Sequence, residues 1–185
     1  ASLLLVKEGH AVTLVEKKVY PFHRVCGEYV SNEVLDFLKR NNLYPDFLEL
    51  PHIDTFEFSD TQGKSVFLPL DLGGFGISRY QLDLWLYQLA SEQGVKFLTG
   101  TTVTDLVFLE KEELFEVKLS DFQVLQVPVV LGAFGKRSKL DQVLERPFFT
   151  KRSPYIGVKY HVLAEGSANT VALHNFQGGY CGFNA

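Results

Sequence analysis

The sequence predicts an α/β fold in which two folding units are threaded through one another. Three observations predict it. The opening stretch "ASLLLVKEGHAVTLVE" reads as helix, glycine stop, short link and buried strand, which is the second half of a βαβ unit. Between residues 52 and 70 the hydrophobic period changes to two, as in a hairpin. From 79 to 94 the helical period returns, and strand patterns resume behind it. Elements of βα type are thus interrupted by antiparallel strands rather than followed by them.

Taken in order, Leu3, Leu4, Leu5 and Val6 belong to a first helix that Gly9 stops. Residues 11–15, "AVTLV", make a buried strand, and 20–31 a loop. "SNEVLDFLKRNN" (31–42) predicts a helix with Ser31 as N-cap and Val34, Leu35 and Leu38 on one face. The hairpin pairs Ile53, Phe56 and Phe58 with Val66 and Leu68 around "DTQG". "LGGFGIS" (72–78) reads as a glycine-rich loop. The helix at 79–94 carries Leu82, Leu86 and Leu89 in one stripe and ends at Gly94. A three-stranded meander comes next, its tips at "EKEE" (110–113) and "SD" (120–121). "VPVVL" reads as a central strand, and 155–162 and 170–176 as further strands.

Composition narrows the function. The 185 residues suffice for one sizeable domain or two small interleaved ones. A hydrophobic fraction of 46% with 22% charged residues is that of a soluble globular protein. The net charge of −4 and the absence of a basic stripe argue against nucleic acid as a partner. Two distant cysteines, Cys26 and Cys181, build no disulfide framework, so a reducing cytoplasm is the expected compartment. No apolar run approaches the roughly 20 residues of a membrane span. The cysteines and five histidines show no paired ligand spacing, so no metal site is expected. The 16 phenylalanines suit either a flat-sided core or a pocket for an apolar ligand. The chain opens without methionine on a helix already under way and closes without a stop signal, so it reads as a fragment.

Four stretches carry candidate chemistry, each with a plain structural alternative. Glu16 closes the first strand, where a carboxylate in a dinucleotide-binding βαβ unit bonds ribose hydroxyls; it is equally a strand-end acid. "HRVCGEYVS" places Arg24, Cys26, Gly27 and Glu28 ahead of a helix N-terminus, a place for polar ligands and for an activated thiol, or for a half-buried cysteine in a tight loop. Arg79 sits at a helix start, against the dipole, which suggests an anionic partner such as a phosphate. Gly132, Ala133 and Gly135 in "GAFGKRS" allow backbone to approach a ligand, and Ser138 is placed to cap a helix beyond them.

The order of these motifs resembles the FAD-dependent oxidoreductases of the para-hydroxybenzoate-hydroxylase type. The Arg–Cys–Gly–Glu loop is most similar to the branch with the geranylgeranyl reductases. The resemblance implies a Rossmann-like FAD-binding unit (residues 1–50 and 79–147) interleaved with an antiparallel substrate-domain sheet (51–78 and 148–185). It implies that Glu16 holds the adenosine ribose of FAD and that Lys17 and Arg24 lie near that end or its phosphates. Cys26 and Gly27 would run beside the flavin ring, with Cys26 the candidate catalytic side chain. Arg79 would reach the ribityl–pyrophosphate part, and Val103 would present its backbone to adenine. Gly132, Ala133 and Gly135 would form the second fingerprint, with Phe134 where the family has an aspartate. "GGYCGFNA" shares just the leading Gly-Gly-Tyr with the reductases' aromatic substrate motif. The implied activity is hydroxylation or double-bond reduction of a small or medium apolar organic molecule, with NAD(P)H as a candidate electron donor. The competing reading is a non-catalytic or truncated dinucleotide-binding module.

Overall fold

The computed structural model describes residues 1–135, 138–150 and 154–184. The chain separates into two compact units. The first comprises residues 1–20 and 89–156, the second 21–88 and 157–185.

In the first unit, helix α1 (Ser2–Lys7) ends ahead of Gly9, whose φ of +85° suits the left-handed turn that only glycine enters without strain. Strand β1 (Thr13–Glu16) follows and pairs in parallel with β5 (Lys96–Thr99). Helix α3 (Arg79–Glu92), whose residues through Gln88 belong to the second unit, leads into β5 through Gly94, at φ +93°. A meander of β6 (Val103–Leu109), β7 (Leu114–Leu119) and β8 (Val124–Val127) completes the sheets of this unit, with its turns where the charged and Ser-Asp tips predicted them. Leu3, Ala90, Val95, Val117, Leu119 and Leu140 are its buried apolar residues. The predicted central strand "VPVVL" does not form: β8 stops at Val127. Pro128 has no N–H to give to a ladder, and Val129 and Leu131 are exposed instead of paired.

The second unit holds a five-stranded sheet in the order β10-β9-β3-β4-β2. Its strands are β2 (Tyr29–Ser31), β3 (His52–Ser59), β4 (Ser65–Gly76), β9 (Thr170–Phe176) and β10 (Gly179–Phe183). The hairpin turn is built by Asp60, whose Oδ1 accepts from Gln62 N at 2.8 Å and Lys64 N at 2.9 Å, with Gly63 at φ +82°. The sheet is mixed rather than wholly antiparallel, because β9 lies parallel to β3.

Three other expectations change. The glycine-rich stretch 72–78 is not a loop: β4 runs through Gly76 and pairs with β2. Close packing explains a glycine here, since a Cβ on Gly74 would lie 2.4 Å from the Tyr29 ring. The helix predicted at 31–42 is a 3-10 turn (Asn32–Val34) followed by α2 (Leu35–Arg40), with Ser31 Oγ accepting from Glu33 N as the cap. Residues 155–162 form no strand. Lys159 and His161 are drawn to Glu28, while Val158, Tyr160 and Val162 are exposed.

Candidate functional site

The first unit brings Glu16, Lys17 and the Val103 segment together. β1 and β5 run parallel in register, so Glu16 opposite Thr99 stands where both strands end. The carboxyl ends of parallel strands are where ligands bind in open α/β sheets. β5 lies along one edge of β1, and among the described residues no strand lies along the other. Glu16 is half-buried, and its Oε1 accepts from Lys18 N at 3.0 Å. Gly100, at φ +70°, turns the chain back: its N–H donates to Lys18 O at 3.4 Å, and Thr101 N donates to Glu16 O at 3.3 Å. Val103 opens β6 two residues later. Lys17 is exposed beside Glu16.

Gly132, Ala133 and Gly135 lie in irregular chain after β8. Gly135 has φ +66°, and a Cβ built there would meet nothing within 4 Å. At Gly132 a Cβ would meet the Phe134 ring at 3.0 Å, so this aromatic ring folds over the glycine. The Arg146 guanidinium is 5.7 Å from the centre of the same ring. Ser138 caps as predicted, its Oγ accepting from Leu140 N at the start of α4 (Leu140–Val143). Lys136 and Arg137 of this run lie outside the described residues.

The second unit brings Arg24, Cys26 and Arg79 together. Arg79 Nε and Nη2 both donate to Asp83, each at 2.8 Å, a bidentate pair one helical turn apart. Arg24 Nε donates to the same carboxylate at 3.0 Å. Asp83 thus gives both arginines an anionic partner within the chain. The Asp83 hydrogen bond raises the pKa of Arg79, burial opposes it, and the adjacent Cys26 side chain adds to the rise. Gly27 is exposed, and its carbonyl accepts from Asn184 Nδ2 at 3.3 Å.

Glu28, the next residue, organises the loop. Its backbone sits at φ +59°, and its carbonyl accepts from Ile77 N. Its carboxylate accepts from Arg79 N at 2.6 Å, ion-pairs with Lys159 and lies 3.0 Å from His161 Nε2. Burial pushes this carboxyl up, but hydrogen bonds from Lys159, Arg79 N–H and His161 outweigh it and hold the pKa below 4.5. His23 stacks on Tyr80 at 4.7 Å and meets His161 edge-on at 5.0 Å. Together with Arg24, Val25, Lys159 and Tyr160, the two histidines line a cleft of about 290 Å³. Three residue types able to carry positive charge and a tyrosine make it suited to a polar or anionic group.

Sequence reasoning does not single out Asp83, Lys159 or His161, although signals for them exist. Asp83 falls four positions after Arg79, on the same helical face. Lys159 and His161 are two apart in "VKYHV", on one side of an extended segment.

No protein-family model matches the chain, and no curated protein matches it in sequence. Solved structures do match in shape. CmlS, a flavin-dependent halogenase, superimposes with a TM-score of 0.75 at 18% identity, over 100% of this chain and 36% of that one. The halogenase PltM, in complex with phloroglucinol and FAD, gives 0.70 at 16% identity, over 97% of this chain and 44% of that one. A flavoprotein/dehydrogenase from Cytophaga hutchinsonii gives 0.66 at 18%, over 94% and 46%. The chain spans less than half the length of these three proteins. At such identities the likeness is one of fold: the chain has the α/β architecture of flavin-dependent halogenases and flavoprotein dehydrogenases.

Proposed function

We propose that the chain belongs to an FAD-dependent oxidoreductase that hydroxylates a small or medium apolar organic substrate or reduces a double bond in it, in the cytoplasm and with NAD(P)H as donor. The observation that carries this reading is the position of Glu16: a half-buried carboxylate at the shared end of two parallel strands, beside a glycine turn, in a fold of flavoprotein type. Those residues fit the adenosine end of FAD. Bound there, FAD would supply the two-electron chemistry that no side chain here can perform.

In this reading the chain's own residues bind, orient and exclude water. Glu16 accepts the ribose hydroxyl protons, and the Val103 backbone meets the adenine. Lys17 and Arg24 lie near that end of the cofactor or its phosphates, and Arg79, held by Asp83, reaches the ribityl–pyrophosphate part. Gly132, Ala133 and Gly135 let backbone come close. Cys26 and Gly27 border the flavin ring. Residues 1–50 and 79–147 serve the cofactor, and 51–78 and 148–185 the substrate. The preference for the geranylgeranyl-reductase-like branch rests on the Arg–Cys–Gly–Glu loop.

The Phe134 ring over Gly132 favours a second reading, a dinucleotide-binding module without catalysis. Purified protein separates the two. A yellow preparation that releases FAD on denaturation, or a colourless one that takes FAD up with micromolar affinity, supports the enzyme. A folded, colourless protein that binds no FAD eliminates that reading.

A further inference from the structure

A second chemical constellation lies on the mixed sheet, in residues to which the proposed function gives no individual role. The registers align Ser65, Ser59, His174 and Cys181 in one row across β4, β3, β9 and β10. Residues directly opposite one another on paired strands point to the same face, so all four share one side of the sheet. Ser59 is 5% exposed, and its Oγ lies 3.0 Å from His174 Nδ1. Asn175 Nδ2 donates to Ser59 O at 2.7 Å and fixes the serine's backbone. With Nδ1 engaged on Ser59, the remaining ring nitrogen is Nε2. The exposed Cys181 occupies the directly opposite position, with Cβ atoms about 4.5–5.5 Å apart in such pairs; its thiol donates to Gly182 O at 3.8 Å, a long contact that a χ1 rotation toward His174 would release.

Aromatic groups flank this thiol on the same face. Phe183 is two residues along β10, and Phe176 is opposite Gly179 on the other side. The Phe176 ring lies over Gly179, where a Cβ would come within 2.9 Å of it. A carboxylate nearby on the sheet, Glu57, is already engaged, its Oε1 accepting from Ser65 Oγ at 2.6 Å.

We propose that Ser59, His174 and Cys181 form a nucleophilic thiol site for flat, electron-poor carbon electrophiles of the α,β-unsaturated carbonyl class. Ser59 orients the imidazole, and His174 takes the thiol proton as the sulfur attacks. A bond forms between Cys181 Sγ and the β-carbon, and the carbon–carbon π bond breaks. The proton held by His174 passes to the α-carbon, so no oxidant or reductant is needed. The flanking rings select a planar apolar body.

The test is limited alkylation of the full chain by N-ethylmaleimide, with the labelled cysteines quantified by peptide mass spectrometry. Cys181 is expected to react at least roughly tenfold faster in the folded chain than in the chain unfolded in guanidinium, a modest factor for a positioned base. His174→Gln should remove that advantage, Ser59→Ala should reduce it, and Ser59→Thr should retain it. Labelling of folded wild type no faster than of the unfolded chain overturns the proposal, as does an advantage that survives His174→Gln in a folded protein. Where His174→Gln does not fold, the fold-change in Ser59→Ala decides by the same criterion. Where that variant fails too, the wild-type ratio decides.

Discussion

The Glu28 carboxylate accepts a 2.6 Å hydrogen bond from the backbone N–H of Arg79, 51 positions away in sequence. A loop residue thereby caps the start of a 14-residue helix. A carboxylate there satisfies an orphan N–H and complements the positive end of the helix dipole. The left-handed backbone of Glu28 costs about 1–2 kcal/mol, which the contacts of its carboxylate must offset.

Replacement of Glu28 with Gln should therefore destabilise the protein by roughly 1–2 kcal/mol at neutral pH, read from urea unfolding. The folded-state pKa of Glu28 lies below 4.5, so its contribution is complete above that value and is lost as pH falls through the folded value. The gap between wild type and Glu28→Gln should stay constant near neutrality and close in acid. A gap that widens in acid would contradict the assignment.

Asp83→Asn tests the two-arginine clamp. The Asp83 side chain is 11% exposed and holds both Arg24 and Arg79. Neutralising it leaves two guanidinium groups without their counter-charge. A loss of roughly 1–3 kcal/mol is expected, since the pair is partly buried. Trp85, whose Nε1 donates to Leu43 O at 3.0 Å, provides the fluorescence signal.

Gly74→Ala probes the β2–β4 junction. The added methyl would sit 2.4 Å from the Tyr29 ring and 2.6 Å from Val30 O. Backbone cannot yield as a flexible side chain does, so a cost of about 1–3 kcal/mol is expected in thermal unfolding. Gly63→Ala, in open space but at φ +82°, should cost less, through backbone strain alone.

Glu16→Gln addresses the cofactor proposal. Loss of a charge-assisted hydrogen bond to ribose corresponds to roughly 1.5–3 kcal/mol, or a 10- to 100-fold weaker Kd for FAD. Flavin fluorescence titration measures it, with circular dichroism as the control for folding. Equal FAD affinity in both proteins would remove Glu16 from the site.

The sequence disclosed those elements whose signals are local. Gly9 and Gly94 punctuate helices, Asp60 and Gly63 build a turn, and Ser31 and Ser138 cap: each acts within four residues. What stayed hidden depends on neighbours distant in the chain. Residues 72–78 read as a loop because glycine is a poor strand former, and only the Tyr29 ring explains Gly74. Residues 155–162 have the alternation of a strand, but Lys159 and His161 answer to Glu28 instead of a ladder. At the candidate site, Glu16 was legible because it terminates an apolar strand run, although β1 is only half-buried. Asp83 was overshadowed by Arg79, whose charge suggested an external phosphate before an internal carboxylate.

The mixed sheet joins Ser59 to His174 across 115 positions. During synthesis at about 5–20 residues per second, the β3–β4 hairpin leaves the ribosome many seconds before the strand that will lie on its other side. Until then β3 offers a long bare rim to solvent, open to pairing with other nascent chains. Chaperone demand in this protein should accordingly concentrate in that interval.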